Sequence, residues 1–170
     1  MAERVIFHID VNSAFLSWTA AYRCMVCGEK TDLRELPAVI ANRKNSRTSI
    51  VLAKSIPAKK FGVKTGEPLG MARDKCPNLV VAEPDYDLYV AASQQMIALL
   101  REVSPVVEQY SIDEAWVDMT GTERLYGAPV LAANWLKERI HRELGFTVNV
   151  GISCNKLLAK MASDFEKPNR

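Results

Sequence analysis

The stretch Val106-Val107-Glu108-Gln109-Tyr110-Ser111-Ile112-Asp113-Glu114-Ala115-Trp116-Val117-Asp118-Met119 decides the fold. Its ends, 106–110 and 115–119, read as two strands around a tight turn at Ser111-Ile112-Asp113. Upstream, residues 85–103 set Leu88, Ala91, Ala92, Met96, Leu99 and Leu100 at helical spacing. Downstream, 130–144 set Leu131, Trp135, Leu136, Ile140 and Leu144 on one helical face. A strand at 146–152 and a helix at 155–164 follow.

The first half is built of shorter pieces. Residues 4–10 are apolar and β-branched, a buried strand ending on Asp10. Asn12 or Ser13 is placed to cap a helix running to about residue 27, with Phe15, Leu16, Trp18, Thr19 and Tyr22 at helical spacing. Strands are expected at 38–41 and 48–52 around a basic turn at 42–45, and another at 79–81. Short helices are expected at 56–61, stopped by Gly62, and at 68–75. With residues from about 11 to 83 set aside, the order is β, α, β, β, α, β. That is the ferredoxin-like order, so the fold class is α+β, an antiparallel sheet with helices on one face. The set-aside part is an insertion after the first strand.

Composition bounds the function. The chain has 170 residues, 48% apolar and 25% charged, which excludes collagen-like, low-complexity and disordered classes. No run approaches the ~20 apolar residues of a membrane span. The start lacks the features of a signal peptide, so the four cysteines read as reduced thiols and the expected location is cytoplasmic, with no membrane. Cys24 and Cys27 have zinc-knuckle spacing, but no second pair lies near them, and they read as packing. The net charge of +2 hides an asymmetry. Residues 30–75 hold 11 Lys+Arg against 4 Asp+Glu, and 76–145 hold 5 against 11. The basic part, with Arg43, Lys44, Arg47, Lys54, Lys59, Lys60 and Lys64, suits a polyanion and the acidic part metal chemistry, although charge alone reads as well, or slightly better, as two solvated faces.

Three carboxylates carry that chemistry. Asp10 ends the first strand, and Asp113 and Glu114 sit at the hairpin turn. Asp10 alone reads as a helix cap, and Asp113-Glu114 alone as a turn. In the ferredoxin-like order, however, the first strand and the strand after Glu114 are central neighbours, so the three acids converge at one edge. Packed acids repel and need a cation. Oxygen-only ligands select Mg²⁺ or Mn²⁺, and a pair of such ions serves in-line phosphoryl transfer.

Four segments in order then carry a resemblance. Tyr110-Ser111-Ile112-Asp113-Glu114-Ala115-Trp116-Val117-Asp118 resembles the catalytic segment of the Y-family DNA polymerases, the translesion enzymes. His8-Ile9-Asp10-Val11-Asn12-Ser13-Ala14-Phe15 is similar to their N-terminal metal and steric-gate segment, and Ala58-Lys59-Lys60-Phe61-Gly62-Val63-Lys64-Thr65-Gly66 to their fingers segment. The run from Val150 through Asn155-Lys156-Leu157-Leu158-Ala159-Lys160 to Lys167-Pro168-Asn169 is similar to the end of their palm. The nearest match is the bacterial damage-repair group.

The resemblance implies a palm at 1–11 and 78–170 with a small inserted fingers subdomain at 12–77. It implies that Asp10, Asp113, Glu114 and the Val11 carbonyl hold two Mg²⁺ ions (or Mn²⁺), with Asp113 and Glu114 catalytic. Phe15 falls at the steric gate under the sugar, and Lys59 and Lys160 meet the triphosphate. Partners would be primer–template DNA, deoxynucleoside triphosphates and, through regions beyond this chain, a sliding clamp. Two positions depart: Ile56 and Lys59 stand where many relatives have Tyr and Arg, and Ile56 has no hydroxyl to offer a phosphate. Relatives continue past the Lys-Pro-Asn segment into thumb and little-finger domains, so the chain is expected to be a palm-and-fingers part, weak or inactive alone. The alternatives are a non-enzymatic paralogue that binds DNA or acts as a scaffold, for which missing acids would speak, and a nucleotide cyclase. The diguanylate cyclases carry a Gly-Gly-Asp/Glu-Glu/Asp-Phe turn that this sequence lacks.

Overall fold

The computed structural model describes residues 4–42 and 49–165. The basic positions Arg43, Lys44 and Arg47 and the segment Lys167-Pro168-Asn169 lie outside the described residues. The chain divides into two compact units, one of residues 1–12 with 90–170 and one of residues 13–89.

The first unit is built on β1 (Ile6–Val11), β5 (Val107–Gln109), β6 (Glu114–Asp118) and β7 (Val148–Ser153). They form one sheet in the order β5-β6-β1-β7, antiparallel throughout. β1 and β6 are the central pair, as the ferredoxin-like reading requires. Period-2 alternation sorts the residues of β1 and β6 between two faces. Phe7, Ile9, Ala115 and Val117 point one way and are fully buried. His8, Asp10, Glu114 and Trp116 point the other.

Gly151 pairs with His8 across β7, and α7 (Lys156–Asp164) crosses this second face directly over it. Two helices lie inside the βαββαβ order, α4 (Tyr86–Val103) and α6 (Pro129–Leu144), and α6 packs against β7. The buried stripe of α6 is Ala132, Ala133, Leu136 and Ile140. Leu131 and Trp135, expected on that stripe, are exposed; Trp135 instead stacks on Tyr126 at 4.9 Å, from the short α5 (Glu123–Tyr126) that no periodicity announced. Gly145 closes α6 with a left-handed φ of 77°.

The second unit holds α1 (Ala14–Met25), β2 (Ala38–Ile40), β3 (Ala53–Lys54), α2 (Ile56–Lys60), α3 (Leu69–Lys75) and β4 (Val80–Ala82), ending in the first turn of α4. Its sheet order is β3-β2-β4, with β4 parallel to β2. Leu16, Ala20, Leu33, Ala38, Ile40, Ala53 and Ala82 pack as one apolar cluster. The strand expected at 48–52 is an isolated bridge at Ile50, and pairing resumes only at Ala53. Ser55 caps α2 by accepting from the Ala58 N–H at 3.1 Å.

Neither Asn12 nor Ser13 caps α1 with its side chain. Ser13 holds the N-cap in the left-handed region (φ 47°) and makes no side-chain cap bond, while Asn12 donates to the Thr147 hydroxyl at 3.1 Å. Among the described residues no helix is long and apolar enough to cross a membrane.

Candidate active site

The turn of the β5–β6 hairpin brings two carboxylates onto one hydroxyl. The N–H groups of Tyr110 and Ser111 both donate to the Glu114 carbonyl, at 3.0 and 3.2 Å, which folds the turn tightly. The Ser111 hydroxyl then lies 2.7 Å from Asp113 Oδ1 and 3.2 Å from Glu114 Oε2. It has one proton, so at any moment one carboxylate receives it. The Val11 N–H donates to the Asp113 carbonyl at 3.1 Å, tying the end of β1 to the turn.

Asp10 is the direct register partner of Glu114, and both are partly exposed. Opposed side chains of an antiparallel pair share a face. Asp10 is not the cap of α1, whose N-cap is Ser13. Among the described residues no three of His, Cys, Asp and Glu stand close enough to hold a metal ion. The structure sets Asp10 beside Glu114 and joins Glu114 to Asp113 without drawing all three into one cage. Cys24, Cys27, Cys76 and Cys154 are free thiols.

The α7 helix delivers a cation to the same place. Asn155 caps it by accepting from the Leu158 N–H at 2.9 Å, and Lys160 then pairs its Nζ with Glu114 Oε1. That ammonium also sits 4.6 Å from the centre of the Tyr110 ring, a cation–π contact. Burial alone would push the Glu114 carboxyl up. The Lys160 hydrogen bond and charge, then Ser111 and His8, outweigh it and hold Glu114 below the usual carboxylate range.

His8, on the same face of β1 as Asp10, is fully buried. It does more than fill space. Its Nδ1 lies 2.8 Å from the Ser163 hydroxyl, which donates its own proton to the Lys160 carbonyl at 2.8 Å. Ser163 therefore accepts from His8 Nδ1–H, which leaves Nε2 facing Glu114 Oε1 at 3.5 Å. His8, Ser163, Lys160 and Glu114 thus stand together across β1, β6 and α7, with the His8–Glu114 approach attractive when the imidazole is protonated. The period-2 step from His8 to Asp10 and the i,i+3 step from Lys160 to Ser163 were signals of it in the sequence.

The remaining expected residues lie in the second unit. Phe15 is half-buried and stacked on Tyr89 at 4.5 Å, 9° from parallel, with Tyr86 edge-on at 6.3 Å. Tyr89 is fully buried, and its hydroxyl meets Thr19 at 3.2 Å. Lys59 is exposed near the end of α2, and Ile56 is exposed at its start. Burial, then the charge of Lys59, lowers the pKa of Lys54, which donates to Thr65 at 3.1 Å.

The comparisons with known proteins agree with one another. The family model described as impB/mucB/samB matches residues 9–164. The DNA polymerase IV of Clostridium acetobutylicum is 54% identical over 167 residues, covering 98% of this chain and 42% of that protein. The DNA polymerase IV of Alkaliphilus oremlandii is 43% identical, covering 96% of this chain and 39% of that protein. Among solved structures, DinB from Sulfolobus solfataricus superposes with a TM-score of 0.79 at 25% identity, covering 96% of this chain and 46% of that one. A structure titled as an insertion ternary complex of Dbh DNA polymerase gives 0.80 at 26%, covering 97% and 47%. The chain thus spans less than half the length of each.

Proposed function

This chain belongs to the impB/mucB/samB family, and on that premise we propose that it is the palm-and-fingers part of a translesion-type DNA-directed DNA polymerase. Its reaction is template-directed transfer of a deoxynucleotide to a primer end. The observation that carries the reading is the edge of β1 and β6, where Glu114 stands opposite Asp10, shares the Ser111 hydroxyl with Asp113, and pairs with the Lys160 ammonium brought by α7.

Three carboxylates form an oxygen-only donor set that fits Mg²⁺ or Mn²⁺ by type. Glu114 is held ionised and already engages a cation, which supports the fit. When bound, two such ions lower the pKa of the attacking hydroxyl and neutralise charge at the phosphorus centre. Asp10, Asp113, Glu114 and the Val11 carbonyl would hold the ions. Lys160 and Lys59 meet the triphosphate as point charges. The Phe15 ring, braced by Tyr89, lies under the sugar and leaves no room for a 2′-hydroxyl. Residues 1–11 and 78–170 act as palm and 12–77 as fingers. Primer–template DNA and deoxynucleoside triphosphates are the substrates, the setting is cytoplasmic, and a sliding clamp is engaged outside these 170 residues. Ile56 brings the triphosphate no hydroxyl hydrogen bond.

Single-nucleotide addition to a primer tests this, with the four templating bases compared in Mg²⁺ and in chelator. Metal-dependent incorporation of the complementary nucleotide is expected. The yield is expected to be low, since these residues are the palm-and-fingers part alone; incorporation that ignores the template or persists in chelator sinks the reading.

A further inference from the structure

Asn149 on β7 is the direct register partner of Asp10, as Glu114 is on the other side. Directly opposed residues of antiparallel strands project from one face with Cβ atoms about 5 Å apart. Glu114, Asp10 and Asn149 therefore form one row across three strands. Asn149 is 6% exposed, and its Nδ2 has no hydrogen-bond partner among the described residues. A buried amide donor with nothing to bind weakens a fold, because it gave up water for nothing. A leucine would fill a similar space without that penalty. The orphan stands beside the residue expected to receive the ligand. An amide nitrogen donates protons and has no lone pair for a cation, so its partner must be an oxygen.

We propose that Asn149 is a ligand-contacting residue of this site, its Nδ2 donating to an oxygen that arrives with the divalent cation and triphosphate beside Asp10. That oxygen is either a cation-bound water or a phosphate oxygen. The inference rests on the polymerase reading. It adds a contact that no periodicity or motif in the sequence indicated.

The test compares the wild-type chain with Asn149→Leu and Asn149→Ala. Each is titrated calorimetrically with Mn²⁺ alone, and with Mg²⁺ plus a non-hydrolysable deoxynucleoside triphosphate; each is also melted without ligand. Asn149→Leu should melt at the same or a higher temperature, since a buried unpaired polar group is gone. Both variants should bind at least one probe about tenfold more weakly. A loss on Mn²⁺ alone identifies a cation-bound water; a loss only with the nucleotide identifies a phosphate oxygen. Wild-type affinity for both probes in Asn149→Ala overturns the proposal whatever Asn149→Leu does, and leaves the polymerase reading standing. Failure of the wild type to bind either probe overturns the proposal, and the polymerase reading is then decided by the templated-addition test.

Discussion

Gly151 lies so close beneath Ala159 that a Cβ on the glycine would stand 2.0 Å from the Ala159 carbonyl oxygen and 2.5 Å from the Ser163 N–H nitrogen. Both are backbone atoms, so nothing flexible can yield. The contact seats α7 on the sheet and fixes the height at which Lys160 and Ser163 meet Glu114 and His8. Gly151→Ala must lift the helix. The expected cost is about 3 kcal/mol or more, at the upper end for overpacking. Urea unfolding reads the cost, and nucleotide titration at a temperature where the variant is folded should show weakened binding as well.

Ser163→Ala removes the acceptor of His8 Nδ1 while leaving the ring buried. An unpaired buried donor costs about 1–3 kcal/mol. Chemical denaturation should show a loss in that range, and a variant as stable as wild type would mean the His8–Ser163 bond contributes nothing.

Lys160→Met removes the ammonium and keeps the bulk of the stem. Burial then acts on Glu114 with only Ser111 and His8 opposing it, so its pKa moves up. Carboxyl-carbon NMR titration of the two proteins checks the direction. An unmoved Glu114 would show that Lys160 is not its principal partner in solution.

Much of this was legible beforehand, and the gaps have physical causes. The hairpin of β5 and β6 follows from alternation around a tight turn, and the pairing of β1 with β6 follows from the βαββαβ order. That order in turn made Asp10 and Glu114 neighbours. What periodicity could not supply was the inter-strand register. Asn149 is separated from Asp10 by 139 positions in sequence, and only pairing makes them adjacent. The α6 stripe was misjudged because its apolar residues outnumber its buried ones: Ala132 and Ala133 face inward while Leu131 and Trp135 do not. The capping error at α1 arose because Asn12 spends its amide on Thr147, a partner far along the chain.

Glu67 offers a test by pH away from the candidate site. Its carboxylate takes the Lys64 N–H at 2.9 Å and pairs with Lys75, which also donates to the Gly62 carbonyl at 3.1 Å. Burial raises its pKa, but the Lys75 hydrogen bond, the Lys64 N–H and their charges prevail and lower it from the ordinary 4.5. A lowered folded pKa gives stability that is full above the unfolded value and is lost as pH falls through the folded one. Glu67→Gln should therefore cost about 1–3 kcal/mol at pH 7. It should also flatten the stability–pH curve below about pH 4.5, where wild type declines. Parallel curves for the two proteins would contradict this.

The central claim is that Asp10, Asp113 and Glu114 act with a divalent cation to receive a deoxynucleoside triphosphate. Calorimetric titration of a non-hydrolysable deoxynucleoside triphosphate into the wild-type chain and into Asp113→Asn, each with and without Mg²⁺, tests it most directly. The account predicts binding that requires Mg²⁺ in the wild type and falls at least tenfold in the variant, as expected when a charged ligand–cation contact is lost. Binding that is indifferent to Mg²⁺, or equal in the two proteins, would contradict it.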